Sequence, residues 1–181
     1  LPDLNGKTVS LSQYRGKKVY VKFWASWCPI CLAGMSEVEE LAANTRDDVE
    51  VLTIASPDYL GEMSEPEFRK WATTRKFRVP VLIDTGGRFA ASLGVDKYPS
   101  SAWIDPAGTL LDVHTGQVSN DWIVAHFADA KSTKAPRNTR FPPNPNIGVD
   151  YSKAQLGEIW LAGGCFWGVE AYFARVYGVA D

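Results

Sequence analysis

The chain reads Lys18-Val19-Tyr20-Val21-Lys22-Phe23-Trp24-Ala25-Ser26-Trp27-Cys28-Pro29-Ile30-Cys31 through its most informative stretch. Its first seven residues are rich in β-branched and aromatic side chains, which predicts a strand. Apolar residues then recur at helical spacing, which predicts a helix that begins beside the cysteines; they are Cys31, Met35, Val38, Leu41 and Ala42. Cys28 is therefore expected in the first helical turn, where unpaired amide N–H groups and the helix dipole stabilise a thiolate.

This setting predicts thiol–disulfide exchange at the two cysteines. We expect Cys28 to be the exposed, acidic thiol that attacks a substrate, and Cys31, on the buried stripe, to resolve the mixed disulfide. A C-x-x-C can also be half of a zinc site, but Cys165 is the only other cysteine, and the two histidines show no ligand spacing. A purely structural disulfide is the remaining alternative, and the strand-to-helix context favours redox chemistry over it.

Composition describes an ordinary globular protein. Of 181 residues, 45% are hydrophobic and 22% charged, and the net charge of −2 gives no electrostatic reason to expect nucleic acid or an anionic membrane as a partner. No apolar run approaches the roughly 20 residues that a membrane span needs. The chain opens on Leu1 without a signal peptide, so we expect one to have been removed or omitted. We expect no cofactor and no metal.

Turn and capping signals predict the remaining elements of the first part of the chain. Asn5-Gly6 predicts a hairpin, Ser64 to Glu67 a capping box, and Gly94 a helix end. Pro80 weakens its strand as a central one. The predicted elements are a hairpin over 4–11, strands over 49–55 and 79–84, helices over 64–72 and 88–93, a hairpin of 101–105 with 109–113, and a helix over 119–131.

The composition changes after residue 131. Residues 132–157 carry four prolines among polar residues and predict a partly extended linker. Glu158 to Ala162 then predicts a strand, and Ala171 to Tyr177 a helix. Cys165 lies at this second strand-to-helix junction, where residues alone leave a reactive thiolate and a buried structural cysteine equally open.

Trp24-Ala25-Ser26-Trp27 before the C-x-x-C resembles the thioredoxin superfamily, specifically its exported TlpA-like members, and the segments 1–7 and 11–17 are similar to that branch too. The resemblance implies an α/β thioredoxin fold over residues 1–131, with a mixed sheet flanked by helices and an amino-terminal hairpin. It also implies a cis bond before Pro99, whose loop pairs with the substrate, and substrate contacts for Trp27.

Two positions depart from these relatives. Ordinary thioredoxins have a buried Asp where this chain has Lys22, and TlpA-like proteins often have a Glu where it has Gly34. No carboxylate base is therefore evident for Cys31. We expect the Lys22 side chain to reach the surface, because long charged side chains usually place their head group in water.

Gly164-Cys165-Phe166-Trp167-Gly168, with Glu170 two residues later, resembles the signature of peptide methionine sulfoxide reductase A. The resemblance implies that Cys165 attacks the sulfoxide sulfur, that Phe166 and Trp167 hold the methyl group, and that Glu170 contacts the sulfoxide oxygen. Residues 158–181 would be the start of that domain, left incomplete at Asp181. The whole chain is similar to the amino-terminal part of a bacterial fusion of a thioredoxin-like domain with reductase A, often followed by a B domain.

Together these resemblances imply a periplasmic or otherwise exported oxidoreductase that takes part in the repair of oxidised methionine in proteins. It would take electrons from a membrane-embedded dithiol donor of the DsbD or CcdA type and pass them to the fused sulfoxide reductase. One alternative is a stand-alone thioredoxin-like reductase of cytochrome c maturation, which has no use for residues 164–170. The other is a copper-binding thiol module, which would need a histidine near its cysteines.

Overall fold

The structure, a computed structural model, describes residues 1–45 and 48–128. Within these residues, five strands and five helices follow one another with two short 3₁₀ turns, Leu11–Tyr14 and Thr85–Gly87. The strands are β1 Lys18–Trp24, β2 Val49–Ala55, β3 Val81–Ile83, β4 Ser100–Ile104 and β5 Leu110–Thr115. The helices are α1 Pro29–Ala33, α2 Met35–Asn44, α3 Glu65–Thr73, α4 Arg88–Ser92 and α5 Asn120–His126.

The strands form one mixed sheet in the order β3-β2-β1-β4-β5. β1 pairs with β2 in parallel, β2 with β3 in parallel, and the β4–β5 hairpin is antiparallel to β1. This arrangement is the thioredoxin fold that the sequence resemblance implies. The short β3 lies at an edge, as Pro80 leads one to expect, since a proline cannot donate to a central ladder.

Both faces of β1 are covered, so six of its seven residues are buried. On one face Trp103, the register partner of Tyr20, packs edge-on against Trp122 of α5 at 5.1 Å and donates its indole N–H to the Ile123 carbonyl. α2 lies beside α5, where Asn120 Nδ2 donates to the Glu37 carbonyl at 2.9 Å. On the opposite face Phe23 meets Phe89 of α4. Burial of this kind contributes about 25 cal/mol per Å² of apolar surface.

The predicted amino-terminal hairpin is present as a tight turn rather than as a pair of strands. The Asp3 N–H donates to the Lys7 carbonyl, and Gly6 at the turn has a φ of +83°, which glycine adopts without strain. Only isolated bridges link Pro2 with Thr8 and Asp3 with Leu82. The segment therefore extends the sheet edge at β3 by a single bridge.

The capping box predicted at the start of α3 is confirmed. Ser64 is the residue before the helix, and its backbone N–H donates to Glu67 Oε2 at 3.3 Å. The linker over 132–157 and the second domain over 158–181 lie outside the described residues.

Candidate active site

The two cysteines lie where β1 gives way to α1, and they form a disulfide. Cys28 immediately precedes the helix with an extended φ of −92°, and its Sγ accepts the Cys31 N–H at 3.3 Å. Pro29 suits the first helical position, because its missing N–H would have no partner there. Gly34 stays in the right-handed helical region and links α1 to α2. The predicted pairing of a strand end, a helix start and a C-x-x-C is thus confirmed.

The expected exposure of Cys28 is wrong for this disulfide form. Cys28 is 1% exposed and Cys31 is fully buried. The reason is that the Cys28 sulfur is bonded to an inward-facing residue and turned against the first helical turn. Two large apolar side chains beside the cysteines in sequence are instead exposed: Trp27, which precedes Cys28, and Ile30, which lies between the two cysteines.

The peptide bond between Tyr98 and Pro99 is cis, as the resemblance implies. β4 starts at the next residue, and Ser100 lies opposite Phe23 in the antiparallel register. Pro99 is therefore brought beside the end of β1 from which the cysteine loop departs. The Tyr98 ring contacts the Trp27 ring at 6.2 Å between centroids. The two predicted substrate-contacting positions, Trp27 and Pro99, thus lie on neighbouring segments; their contact with a substrate stays a prediction.

A buried carboxylate that the sequence analysis did not single out holds the loop before Cys28. Glu62 is 6% exposed and accepts hydrogen bonds from the Ser26 N–H at 2.5 Å, the Ser26 hydroxyl at 2.6 Å and the Met63 N–H at 2.8 Å. Gly61 lies 3.7 Å, measured from the position that a Cβ would take, from the Trp27 indole nitrogen. Glu62 is 36 residues away from Ser26 in sequence, yet the segment around it holds both Ser26 and Trp27 in place.

The expectation that Lys22 reaches the surface is wrong. Its side chain is 1% exposed, because it lies on the same face of β1 as Tyr20, and on that face Trp103 packs between Tyr20 and Trp122 of α5. Its Nζ donates to Gln117 Oε1 at 2.6 Å, in the loop before α5. Burial lowers the pKa of the Lys22 amine from 10.5 to about 8, because desolvation disfavours the charged form.

No group of three or more His, Cys, Asp and Glu residues that could hold a metal ion occurs in the described ranges. His126 is packed, as expected: its ring stacks on Trp122 at 4.3 Å, and its Nε2 lies 2.7 Å from Asp112 Oδ2. Residues 1–45 and 48–128 contain no helix long and apolar enough to cross a membrane. The predicted sulfoxide reductase residues, Cys165, Phe166, Trp167 and Glu170, lie outside the described part of the chain.

Comparison with known proteins agrees with this architecture. The Redoxin family model matches residues 1–132, and the Peptide methionine sulfoxide reductase model matches residues 157–181. The pneumococcal exposed lipoprotein thioredoxin Etrx1 from Streptococcus pneumoniae is 43% identical with a TM-score of 0.68, over 71% of this chain and 96% of that one.

Two further relatives are more distant. The N-terminal domain of PilB from Neisseria gonorrhoeae is 29% identical with a TM-score of 0.68, over 74% of this chain and 89% of that one. The thiol-disulfide oxidoreductase ResA of Halalkalibacterium halodurans is 26% identical over 126 residues, which are 68% of each protein.

Proposed function

This chain belongs to the Redoxin family and is a thiol–disulfide oxidoreductase, and we propose that its electrons go to a peptide methionine sulfoxide reductase domain in the same polypeptide. The observation that carries the proposal is the match of the Peptide methionine sulfoxide reductase model to residues 157–181, which follow a Redoxin match that ends at 132. A tether between two such domains supplies an effective concentration of order millimolar, so a weak docking surface suffices.

In the proposed cycle Cys28 is the attacking thiol and Cys31 the resolving thiol. Reduced Cys28 attacks a disulfide of the oxidised sulfoxide reductase and forms a mixed disulfide, with one partner sulfur leaving as a thiolate. Cys31 then attacks the Cys28 sulfur, releases the second partner thiolate and leaves the disulfide seen in this structure. Two electrons have moved to the partner, and an external dithiol must return two to the Cys28–Cys31 pair.

In the sulfoxide reductase step, Cys165 attacks the sulfoxide sulfur, methionine is released, and the cysteine is left as a sulfenic acid. A further thiol condenses with that acid to give water and the disulfide on which Cys28 acts. Phe166 and Trp167 would hold the substrate methyl group, and Glu170 would hydrogen-bond or protonate the sulfoxide oxygen.

We place this cycle outside the cytoplasm, with a membrane-embedded dithiol protein of the DsbD or CcdA type as the donor and oxidised exported proteins as the final substrates. Support comes from Etrx1, which is named as an exposed lipoprotein and is 43% identical. The exposed apolar pair Trp27 and Ile30 beside the disulfide suits docking of another protein by apolar contact rather than by charge.

The test measures methionine formation from a methionine sulfoxide peptide, with a dithiol donor, the 181-residue chain and a separately supplied, oxidised reductase A domain. We expect turnover that needs both proteins and is lost in Cys28→Ser, whereas the chain alone turns over no sulfoxide. Steady turnover by the chain alone, lost in Cys165→Ser, would show that residues 157–181 suffice and that the division of labour is wrong. Faster reduction of a disulfide-bonded C-x-x-C-H peptide than of the reductase would favour cytochrome c maturation instead.

A further inference from the structure

The resolving thiol Cys31 has to lose a proton in a fully buried position, where burial disfavours the thiolate. The carboxylates that are buried within the described ranges are Glu62 and Asp84. Both are engaged elsewhere: Glu62 binds the Ser26 and Met63 N–H groups, and Asp84 accepts the N–H groups of Phe89 and Ala90. Neither is therefore free to serve Cys31.

Lys22 is the buried charged side chain whose contacts lead to the cysteine helix. Its Nζ donates to Gln117 Oε1 at 2.6 Å, and that same oxygen lies 3.1 Å from the position that a Cβ on Gly34 would take. Gly34 is three residues after Cys31, and residues three apart on a helix lie on one face with about 5–6 Å between their Cβ positions. Gln117, which accepts the Lys22 hydrogen bond, thus lies close to Gly34 in the turn that follows Cys31.

The strand neighbours of Lys22 are uncharged. Its register partners are Thr53 on β2 and Ser101 on β4. Tyr20, two residues earlier on the same face of β1, bonds the Ser101 hydroxyl at 2.8 Å, and burial raises its pKa well above the usual range, so it stays neutral. On β5, the register partner of Ser101 is His114, which contacts the Trp122 ring; burial lowers the pKa of His114, which favours the neutral ring. Cys31 is the thiol towards which the contact of Gln117 with the turn at Gly34 leads.

We propose that Lys22, oriented by Gln117, takes up the proton that the Cys31 thiol loses when it attacks the mixed disulfide at Cys28. The proposal rests on the roles assigned above to the two cysteines. The uncharged amine accepts the Cys31 proton and becomes an ammonium ion. The Cys31 thiolate forms a bond to the Cys28 sulfur, the bond from Cys28 to the partner sulfur breaks, and the partner leaves as a thiolate that takes a proton from water.

The acidity of the two groups suits this exchange. Burial brings the pKa of Lys22 to about 8, so about a tenth of the chains hold the uncharged amine at pH 7. Transfer of the thiol proton to that amine leaves a thiolate and an ammonium ion, and the attraction between the two opposite charges offsets the cost of burying them. When a donor reopens the disulfide, the ammonium ion returns its proton to Cys31, so one residue serves both directions.

The experiment follows the oxidation of the reduced chain by oxidised glutathione between pH 6 and 9, in a Cys165→Ser background. Acid-quenched mass spectrometry measures the glutathione adduct on Cys28, and its decay reports the attack by Cys31. We expect Lys22→Met to form the adduct at the wild-type rate and to resolve it at least tenfold more slowly at pH 7, with the difference shrinking towards pH 9. Each unit by which the pKa of Cys31 rises removes a factor of ten in thiolate at pH 7.

Three further variants separate proton transfer from charge and from packing. Lys22→Arg keeps the charge but cannot give up a proton at these pH values, so it should also resolve slowly; a wild-type rate would overturn the proposal. Gln117→Ala leaves Lys22 in place without its partner and should slow resolution, which provides a test should Lys22→Met fail to fold. Lys18→Met, on the same strand but paired with Asp48 at the surface, is the control that should change nothing.

Two outcomes distinguish this proposal from the function on which it rests. Normal adduct formation with an unchanged decay rate and pH profile in Lys22→Met and Gln117→Ala would overturn the role of Lys22 alone. A wild-type chain that formed no adduct on Cys28 would overturn the cysteine roles themselves.

Discussion

Replacing Lys22 by methionine should stabilise the oxidised chain at neutral pH, because the wild-type fold holds a charged amine in a dry site. Burial lowers the pKa of Lys22 from 10.5 to about 8, and at about 1.4 kcal/mol per pKa unit this corresponds to a cost of about 3 kcal/mol for the ammonium form. The lost hydrogen bond to Gln117 offsets about 1 kcal/mol of the gain. The free energy of unfolding should therefore rise by about 2 kcal/mol at pH 7.

The pH dependence provides the sharper test. Below about pH 8 the amine is charged in the folded and unfolded chains alike, so the full cost is present. As the pH rises from about 8 towards 10.5, the folded chain loses the proton first, the unfolded chain binds more protons, and stability increases. By pH 9.5 the wild type should have recovered about 2 kcal/mol, which brings it level with Lys22→Met.

Urea unfolding of oxidised wild type, Lys22→Met and Lys18→Met at pH 7 and pH 9.5 measures both effects. Burial raises the pKa of Tyr98 to about 12, so ionisation of Tyr98 lowers the free energy of unfolding only above the ordinary tyrosine pKa near 10. Tyr98 is present in all three proteins, so its effect is common to them. Wild type and Lys22→Met curves that stay parallel from pH 7 to pH 9.5 would refute a buried, titrating amine.

Three other experiments, each comparing two substitutions, test the site and the residues that support it. Glu62→Ala should lower the free energy of unfolding by about 1–3 kcal/mol, because Ser26 and Met63 donors lose a buried acceptor, whereas the exposed Glu40→Ala should not; equal urea midpoints for the two variants would contradict this. Cys31→Ser should trap a mixed disulfide with an oxidised partner on a non-reducing gel and Cys28→Ser should trap none, so adducts in both would reverse the assigned order. Gly87→Ala should lower the thermal midpoint clearly, since a Cβ there would lie 2.1 Å from the Tyr59 ring at a φ of +64°, while Gly94→Ala, at a similar φ with open space, should cost less.

Much of the described fold could be predicted because its signals are local. The β-branched run of β1, the capping box at Ser64 and the Pro106-Ala107-Gly108 turn between β4 and β5 each depend on residues close in sequence. The same holds for the cysteine motif, which is set by the junction of β1 and α1. Hydrophobic periodicity and the preferences of turn residues act over a few positions, so they suffice to predict this part of the structure.

The remainder depends on how distant elements pack. The residues next to Lys22 in sequence do not reveal that the distant Gln117 packs against its side chain, so the burial of Lys22 could not be inferred from β1 alone. Glu62 contacts a residue 36 positions earlier and lies in no periodic pattern. The burial of Cys28 reflects its bond to Cys31, which a preference for helix starts does not encode.

The close approach of Gln117 to Gly34 makes positions 22, 34 and 117 depend on one another as the sequence evolves. A side chain at position 34 would place its Cβ 2.7 Å from Gln117 Nε2, so a carboxylate introduced there would first displace the amide that holds Lys22. Conversely, replacing Lys22 leaves Gln117 without its hydrogen-bond partner, and it introduces no carboxylate at position 34 that could take over the proton transfer. Single steps between a lysine-based and a carboxylate-based site are therefore disfavoured, and effects at positions 22, 34 and 117 should be strongly non-additive. Exchanging all three together is the route by which one proton-transfer chemistry can replace the other in this scaffold.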